Sequence, residues 1–246
     1  MTDGEQKLTL LGHFRELRNR LIKVVIAVVI TTTLSFIFYK WIFHILTRPA
    51  QGANLIFIEI TEMVGTVMKV CLVSGIILAM PYITFQVIMF IRPALTKREK
   101  KYIYIIMPWV TLMFLGGVVF GYFVLIPPAI NFLLNFGSDI ATPQIKIGNY
   151  ISVITRLLLA VGLIFEMPVV TTFLARIGIV NPKWLAGKRK MAIIIAFVVS
   201  AIITPTFDPV NQTLVAVPLV VLYEMSIWLA KLVYRKKKEE TVLESP

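Results

Sequence analysis

Residues 64–90 read VGTVMKVCLVSGIILAMPYITFQVIMF, an apolar run broken by a single charge, Lys69. As a helix this run is about 40 Å long at 1.5 Å per residue, more than the ~30 Å hydrocarbon core of a bilayer. A soluble core would interrupt it with a polar face. The whole chain shares the bias: 246 residues, 58% hydrophobic and 15% charged, with mean hydropathy +0.83. Soluble domains lie nearer half apolar and a quarter charged. The expectation is an all-α polytopic membrane protein forming one domain, 1–246.

Working outward from that run, six spans emerge, at 21–41, 64–90, 102–126, 150–175, 191–203 and 213–229. The breaks carry Arg48-Pro49, Arg92-Pro93 with Lys97-Arg98-Glu99-Lys100-Lys101, Pro127-Pro128, Lys188-Arg189-Lys190, and Pro205 with Asp208-Pro209. The fifth span is short, about 20 Å of helix, so the membrane must thin there or the hairpin stay partly submerged. The sixth is short as well. Pro81, Pro108, Pro168 and Pro218 lie inside or at the mouths of spans, where proline frees carbonyls and bends helices. A kinked, uneven bundle with a hollow side is expected. No internal repeat supports an inverted-repeat transporter. The loops at 42–63 and 127–149 are the longest and contain apolar residues such as Leu55-Ile56-Phe57, so structured caps are expected there.

The basic residues are sorted by side. Twenty of the 25 Lys and Arg fall in the N-terminal segment, the 91–101 and 176–190 loops and the tail; Lys40, Arg48, Lys69, Lys146 and Arg156 make up the rest. The positive-inside rule therefore places both termini in the cytoplasm. That sorting explains the net charge of +12 without a nucleic-acid partner. Lys69 and Arg156 snorkel to the outer interface. Segment 1–20 reads as a cytoplasmic amphipathic helix, with Leu10, Phe14, Leu17 and Leu21 on one stripe. Segment 231–246 reads as a basic cytoplasmic tail within reach of anionic membrane lipid. The opening is polar and lacks a cleavage motif, unlike a cleavable signal peptide.

Catalytic chemistry finds no foothold. Cys71 is the one cysteine, and His13 and His44 are not at metal-ligand spacing. There is no phosphate loop, nucleophile elbow or zinc motif. No enzyme activity, cofactor or metal is expected.

The stretch His13-Phe14-Arg15-Glu16-Leu17-Arg18-Asn19-Arg20-Leu21 resembles the opening of the TatC family, the receptor subunits of the twin-arginine protein translocase. Phe90-Ile91-Arg92-Pro93-Ala94-Leu95 with Glu99 resembles the family's first cytoplasmic loop, and Phe165-Glu166-Met167-Pro168 its fourth span. Thr204-Pro205, Asp208 to Gln212, Pro218 and Leu222-Tyr223-Glu224 resemble its last hairpin. The resemblance covers nearly the whole chain in order. One departure stands: the family's usual Thr-Pro-Pro-Asp is replaced by Thr204-Pro205-Thr206-Phe207-Asp208.

The resemblance implies a bacterial, archaeal or plastid-type cytoplasmic-membrane receptor that binds twin-arginine signal peptides of folded cargo. It also implies assembly with single-span subunits of the TatA and TatB type, as a homo-oligomer driven by the proton-motive force. The resemblance assigns signal-peptide binding to Glu16 and Glu99, with Arg18 on the same surface; in agreement, a carboxylate accepts a guanidinium bidentately and few carboxylates face this basic side. Alternatives stand beside these roles. Glu16 can pair with Arg20 at i+4, and Thr96-x-x-Glu99 matches a capping box. Glu166 lies near mid-membrane, where an ionisable group faces a cavity or partner by default, or a neutral carboxyl is bonded within the bundle. Gln212, Asp208 and Glu224 are candidate contacts for partner spans, or helix glue. The rival reading is a proton-coupled secondary transporter of a small solute, with Glu166 as its site. An intramembrane enzyme is disfavoured.

Overall fold

Helix α1 (Leu10–Ile37) runs uninterrupted from the charged segment into the first apolar run, because no Gly or Pro punctuates it after Gly12. The computed structural model describes residues 10–50, 54–136, 144–204 and 208–243. After a break at Phe38 the chain continues as α2 (Tyr39–Thr47), a 3-10 turn and a short strand, β1 (Leu55–Ile56). Helix α3 (Glu62–Ile91) passes through Pro81, and a 3-10 turn (Arg92–Ala94) leads to α4 (Lys97–Phe120). The remaining elements are α5 (Ile126–Asn135), β2 (Ile145–Lys146), α6 (Ile147–Phe165), α7 (Met167–Ile177), α8 (Pro182–Gly187), α9 (Arg189–Ile203) and α10 (Pro209–Leu243).

Five stretches of the described residues are long and apolar enough to cross a membrane: Gly12–Ile37, Glu62–Ile91, Tyr104–Asn135, Ile147–Ile177 and Pro209–Tyr234. The expected fifth span is α9, whose 15 residues reach only about 22 Å. Two boundaries need correction. Pro127-Pro128 do not end the third span; a π-helical turn, Gly121–Leu125, carries α4 into α5, which places both prolines in the first turn of the new helix. In that turn the Ile126 N–H bonds to the Gly121 carbonyl five residues back, and the two prolines that follow have no N–H to donate. The stretch expected as a short sixth span is not short either. Pro209 starts α10 at its first position, and the Lys- and Glu-rich tail, made of good helix formers, prolongs it.

Small residues set the closest helix approaches. A Cβ on Gly75 of α3 would lie 2.7 Å from the Thr32 backbone of α1, and Thr31 Oγ1 donates to the Gly75 carbonyl at 2.8 Å. Gly162 of α6 likewise admits the Phe114 ring of α4. Without a hydrophobic drive between helices in lipid, such close packing and interhelical hydrogen bonds hold the bundle. The core centres on Val70, Leu125, Ile151, Ile154 and Val161, whereas Val25, Ile26, Val29 and Ile30 of α1 point outward.

The end opposite the basic loops is tied by polar contacts. Strands β1 and β2 pair in parallel, Leu55 with Ile145 and Ile56 with Lys146. The Glu62 carboxylate accepts Ile58 N–H at 3.0 Å and Gly148 N–H at 3.1 Å. Tyr122 and Tyr150 donate to the Ile45 and Leu46 carbonyls at 2.7 and 3.0 Å. Lys69 donates to Ser152 at 2.5 Å. The two long loops therefore carry ordered structure; residues 51–53 and 137–143 within them lie outside the described residues.

Candidate functional site

At the basic end, α1 crosses the corner where α3 turns into α4. His13 stacks on Phe90, ring centroids 4.3 Å apart. One turn later Glu16 lines a concavity of about 350 Å3 with Arg20, Met89, Arg92, Pro93 and Lys100. Arg20 donates to Glu16 Oε1 through Nε at 2.9 Å and Nη2 at 2.5 Å, and its Nη1 reaches Gln86 Oε1 at 3.3 Å. Both guanidinium bonds end on the same carboxylate oxygen. Glu16 Oε2 has no partner among the described residues, so the carboxylate can accept a further donor.

The i+4 pair anticipated from sequence is thus formed, yet it does not exhaust Glu16. Glu99 stands in the first turn of α4, one residue before Lys100; its side chain, and with it the capping-box alternative, lies outside the described residues. Arg18 is exposed on α1. Three cations, Arg20, Arg92 and Lys100, thus line the concavity with one described carboxylate, Glu16.

Glu166 occupies the break between α6 and α7, with Pro168 at the second position of α7. It lines a cavity of about 340 Å3 between α3, α4 and α7 whose other walls include Val87, Ile106, Val110 and Phe173. Thr84 is the other polar lining residue, and neither Glu166 Oε1 nor Thr84 Oγ1 has a hydrogen-bond partner among the described residues. This cavity is apolar, and Oε1 bonds to none of the described groups around it.

The remaining polar candidates are not brought to that cavity. Asp208 caps α10: Asn211 N–H donates to its Oδ1 at 2.7 Å, with Pro209 at the first helical position. Gln212 donates to the Phe197 carbonyl at 3.0 Å and lines a groove of about 760 Å3 with Arg156, Thr204 and α9. Glu224 takes Arg189 bidentately, at 2.6 and 2.9 Å, tying α10 to the start of α9. That carboxylate's hydrogen bond and charge push the Arg189 pKa above its ordinary value. Sequence reasoning missed Gln86, which is 4% exposed. The only signal was a lone amide inside an otherwise apolar run, four residues before Phe90.

Similarity to known proteins follows the same residues. The family profile described as Sec-independent protein translocase protein (TatC) matches residues 12–218. The Sec-independent protein translocase protein TatC of Aquifex aeolicus is 42% identical over 94% of this chain and 98% of its own length. That of Carboxydothermus hydrogenoformans is 38% identical over 95% and 97%. A crystal structure of the twin-arginine translocase receptor TatC superposes with TM-score 0.81 at 41% identity, covering 90% of this chain and 99% of that one. Identity and shape agree from the Glu16 segment to Pro218 in the last helix: this chain belongs to the TatC family of membrane-embedded protein translocase components, which are transport proteins and not enzymes.

Proposed function

We propose that this chain is the receptor subunit of a twin-arginine translocase, with six spans and both termini in the cytoplasm. It binds the signal peptides of folded cargo at the basic end through Glu16 and Glu99, with Arg18 assigned to the same surface. The observation that carries this reading is the Glu16 carboxylate, which holds one guanidinium on Oε1 and keeps Oε2 available inside an open concavity. Arginine is preferred over lysine because only a planar guanidinium matches a carboxylate in two bonds. The receptor assembles with further copies of itself and with single-span subunits of the TatA and TatB type. Glu166, Gln212, Asp208 and Glu224 mark the intramembrane surfaces at which partner helices pack. Its home is the cytoplasmic membrane of a bacterium, or the archaeal or plastid equivalent, and the proton-motive force drives export.

The transporter alternative gains nothing from the Glu166 cavity, whose apolar walls offer a polar solute almost no hydrogen bonds. The test is crosslinking of a twin-arginine peptide to Glu16→Ala and Glu99→Ala variants that accumulate normally in the membrane. Crosslinking should fall several-fold in each, and a Lys-Lys peptide should crosslink poorly to the unchanged protein. Parent-level crosslinking in both variants overturns the assignment. Orientation is checked with single cysteines at Thr2, Ser245 and Ser138 in a Cys71→Ala background. Only the last should react with an impermeant thiol reagent in intact cells.

A further inference from the structure

A groove of about 600 Å3 opens between α4, α7 and α10, away from the Glu16 concavity and separated from the Glu166 cavity by the shared walls Ile106 and Phe173. At one end the Arg176 guanidinium lies 4.5 Å from the centroid of the Tyr102 ring and donates to the Tyr102 hydroxyl. Trp109, Met113, Val169 and Phe173 wall the remainder. Thr172, the other hydroxyl in the lining, donates to the Pro168 carbonyl within its own helix at 2.6 Å.

The dimensions are those of one leaflet. Along α4 the lining runs from Tyr102 to Met113, about 16 Å of helix, against a hydrocarbon half-thickness of ~15 Å. The charge and the tyrosine therefore sit at headgroup level, where aromatic and cationic anchors belong, and the apolar walls extend to mid-membrane. No acidic residue is among the described lining residues, and the predominantly basic run Lys97-Arg98-Glu99-Lys100-Lys101 immediately precedes Tyr102 in sequence.

We propose that this groove holds one anionic phospholipid, its phosphate on Arg176 and an acyl chain against Trp109 and Phe173. Planar guanidinium groups take phosphate oxygens bidentately, and basic pockets between spans at headgroup level favour anionic lipids. A protein helix fits less well. Helix interfaces in membranes are enriched in Gly, Ala, Ser and Thr, and of these the described lining residues hold only Thr172, whose hydroxyl is already bonded within its own helix.

The test uses delipidated full-length protein in neutral detergent. It is titrated separately with phosphatidylglycerol, with phosphatidylcholine of the same chains, and with inorganic phosphate. Native mass spectrometry reads the first bound lipid, and thermal unfolding reads stabilisation. The first phosphatidylglycerol should be retained about fivefold better than phosphatidylcholine, and Arg176→Gln should remove that preference. Val169→Trp, which fills the groove and keeps Arg176, should lower retention of both lipids severalfold, and phosphate alone should give no stabilisation. Equal retention of the two lipids by the unchanged protein overturns the proposal, as does an undiminished preference in Arg176→Gln or stabilisation by phosphate alone equal to that by phosphatidylglycerol. Should Arg176→Gln fail to fold, Val169→Trp decides alone: lost phosphatidylglycerol retention supports the groove, and unchanged retention overturns it.

Discussion

The two ends of the bundle handle polar groups in opposite ways. At the end away from the basic loops, donors and acceptors from distant segments close on one another. Glu62 gathers backbone N–H groups from the loop before α3 and from the first turn of α6, and Tyr122 and Tyr150 hold the end of α2 through the Ile45 and Leu46 carbonyls. At the basic end, the Glu16 concavity leaves a carboxylate oxygen open beside Arg92 and Lys100. One end is closed on itself as a scaffold, and the other, in the function proposed above, keeps charge available to a ligand. A surface that must recognise charge cannot neutralise all of its own.

This contrast can be broken from its rigid side first. Glu62→Leu removes the acceptor for both Ile58 and Gly148 N–H, and should give the largest fall in melting temperature, measured in detergent. Export of a folded reporter should fall with it. Tyr150→Phe leaves the Leu46 carbonyl without its donor in a site where Tyr150 is 4% exposed, and should cost about 1–3 kcal/mol by denaturant unfolding. A wild-type midpoint in either variant would mean that the hydrogen bonds at this end do not hold the scaffold.

Midway between the ends, Glu166 should move stability the other way. With no described partner for Oε1 and apolar walls around it, Glu166→Leu should raise stability by about 1–2 kcal/mol, since an unsatisfied buried polar group is removed. Glu166→Gln should retain substantial export, because size and hydrogen-bonding capacity persist. Complete loss of export in the glutamine variant, at normal expression, would favour obligatory proton exchange and weaken the receptor reading.

The smallest expected effect on stability sharpens the comparison most. Glu16→Ala breaks a partly exposed i,i+4 pair, worth roughly 0.5 kcal/mol or less. Its melting temperature should stay close to the parent's while peptide crosslinking drops severalfold. A large loss of stability would show Glu16 to be scaffold, like Glu62, and would erase the distinction between the ends.

Sequence by itself determined what depends on composition and local order. The apolar run at 64–90 and its relatives fixed a membrane bundle, the sorting of Lys and Arg fixed the expected orientation, and the spacing from His13 to Leu21 pointed to the family. The Glu16–Arg20 pair was also legible, because i and i+4 always meet on a helix. Only the tertiary structure decided the rest. Nothing near Pro127-Pro128 announces that a π turn just before them joins α4 to α5, with Gly121 and Leu125 of that turn buried. That Glu166 faces apolar walls, that Asp208 caps its own helix and that Glu224 holds Arg189 across 35 positions are outcomes of chain crossings. Local sequence sets which groups are costly to bury; the meeting of distant helices sets which of them find partners.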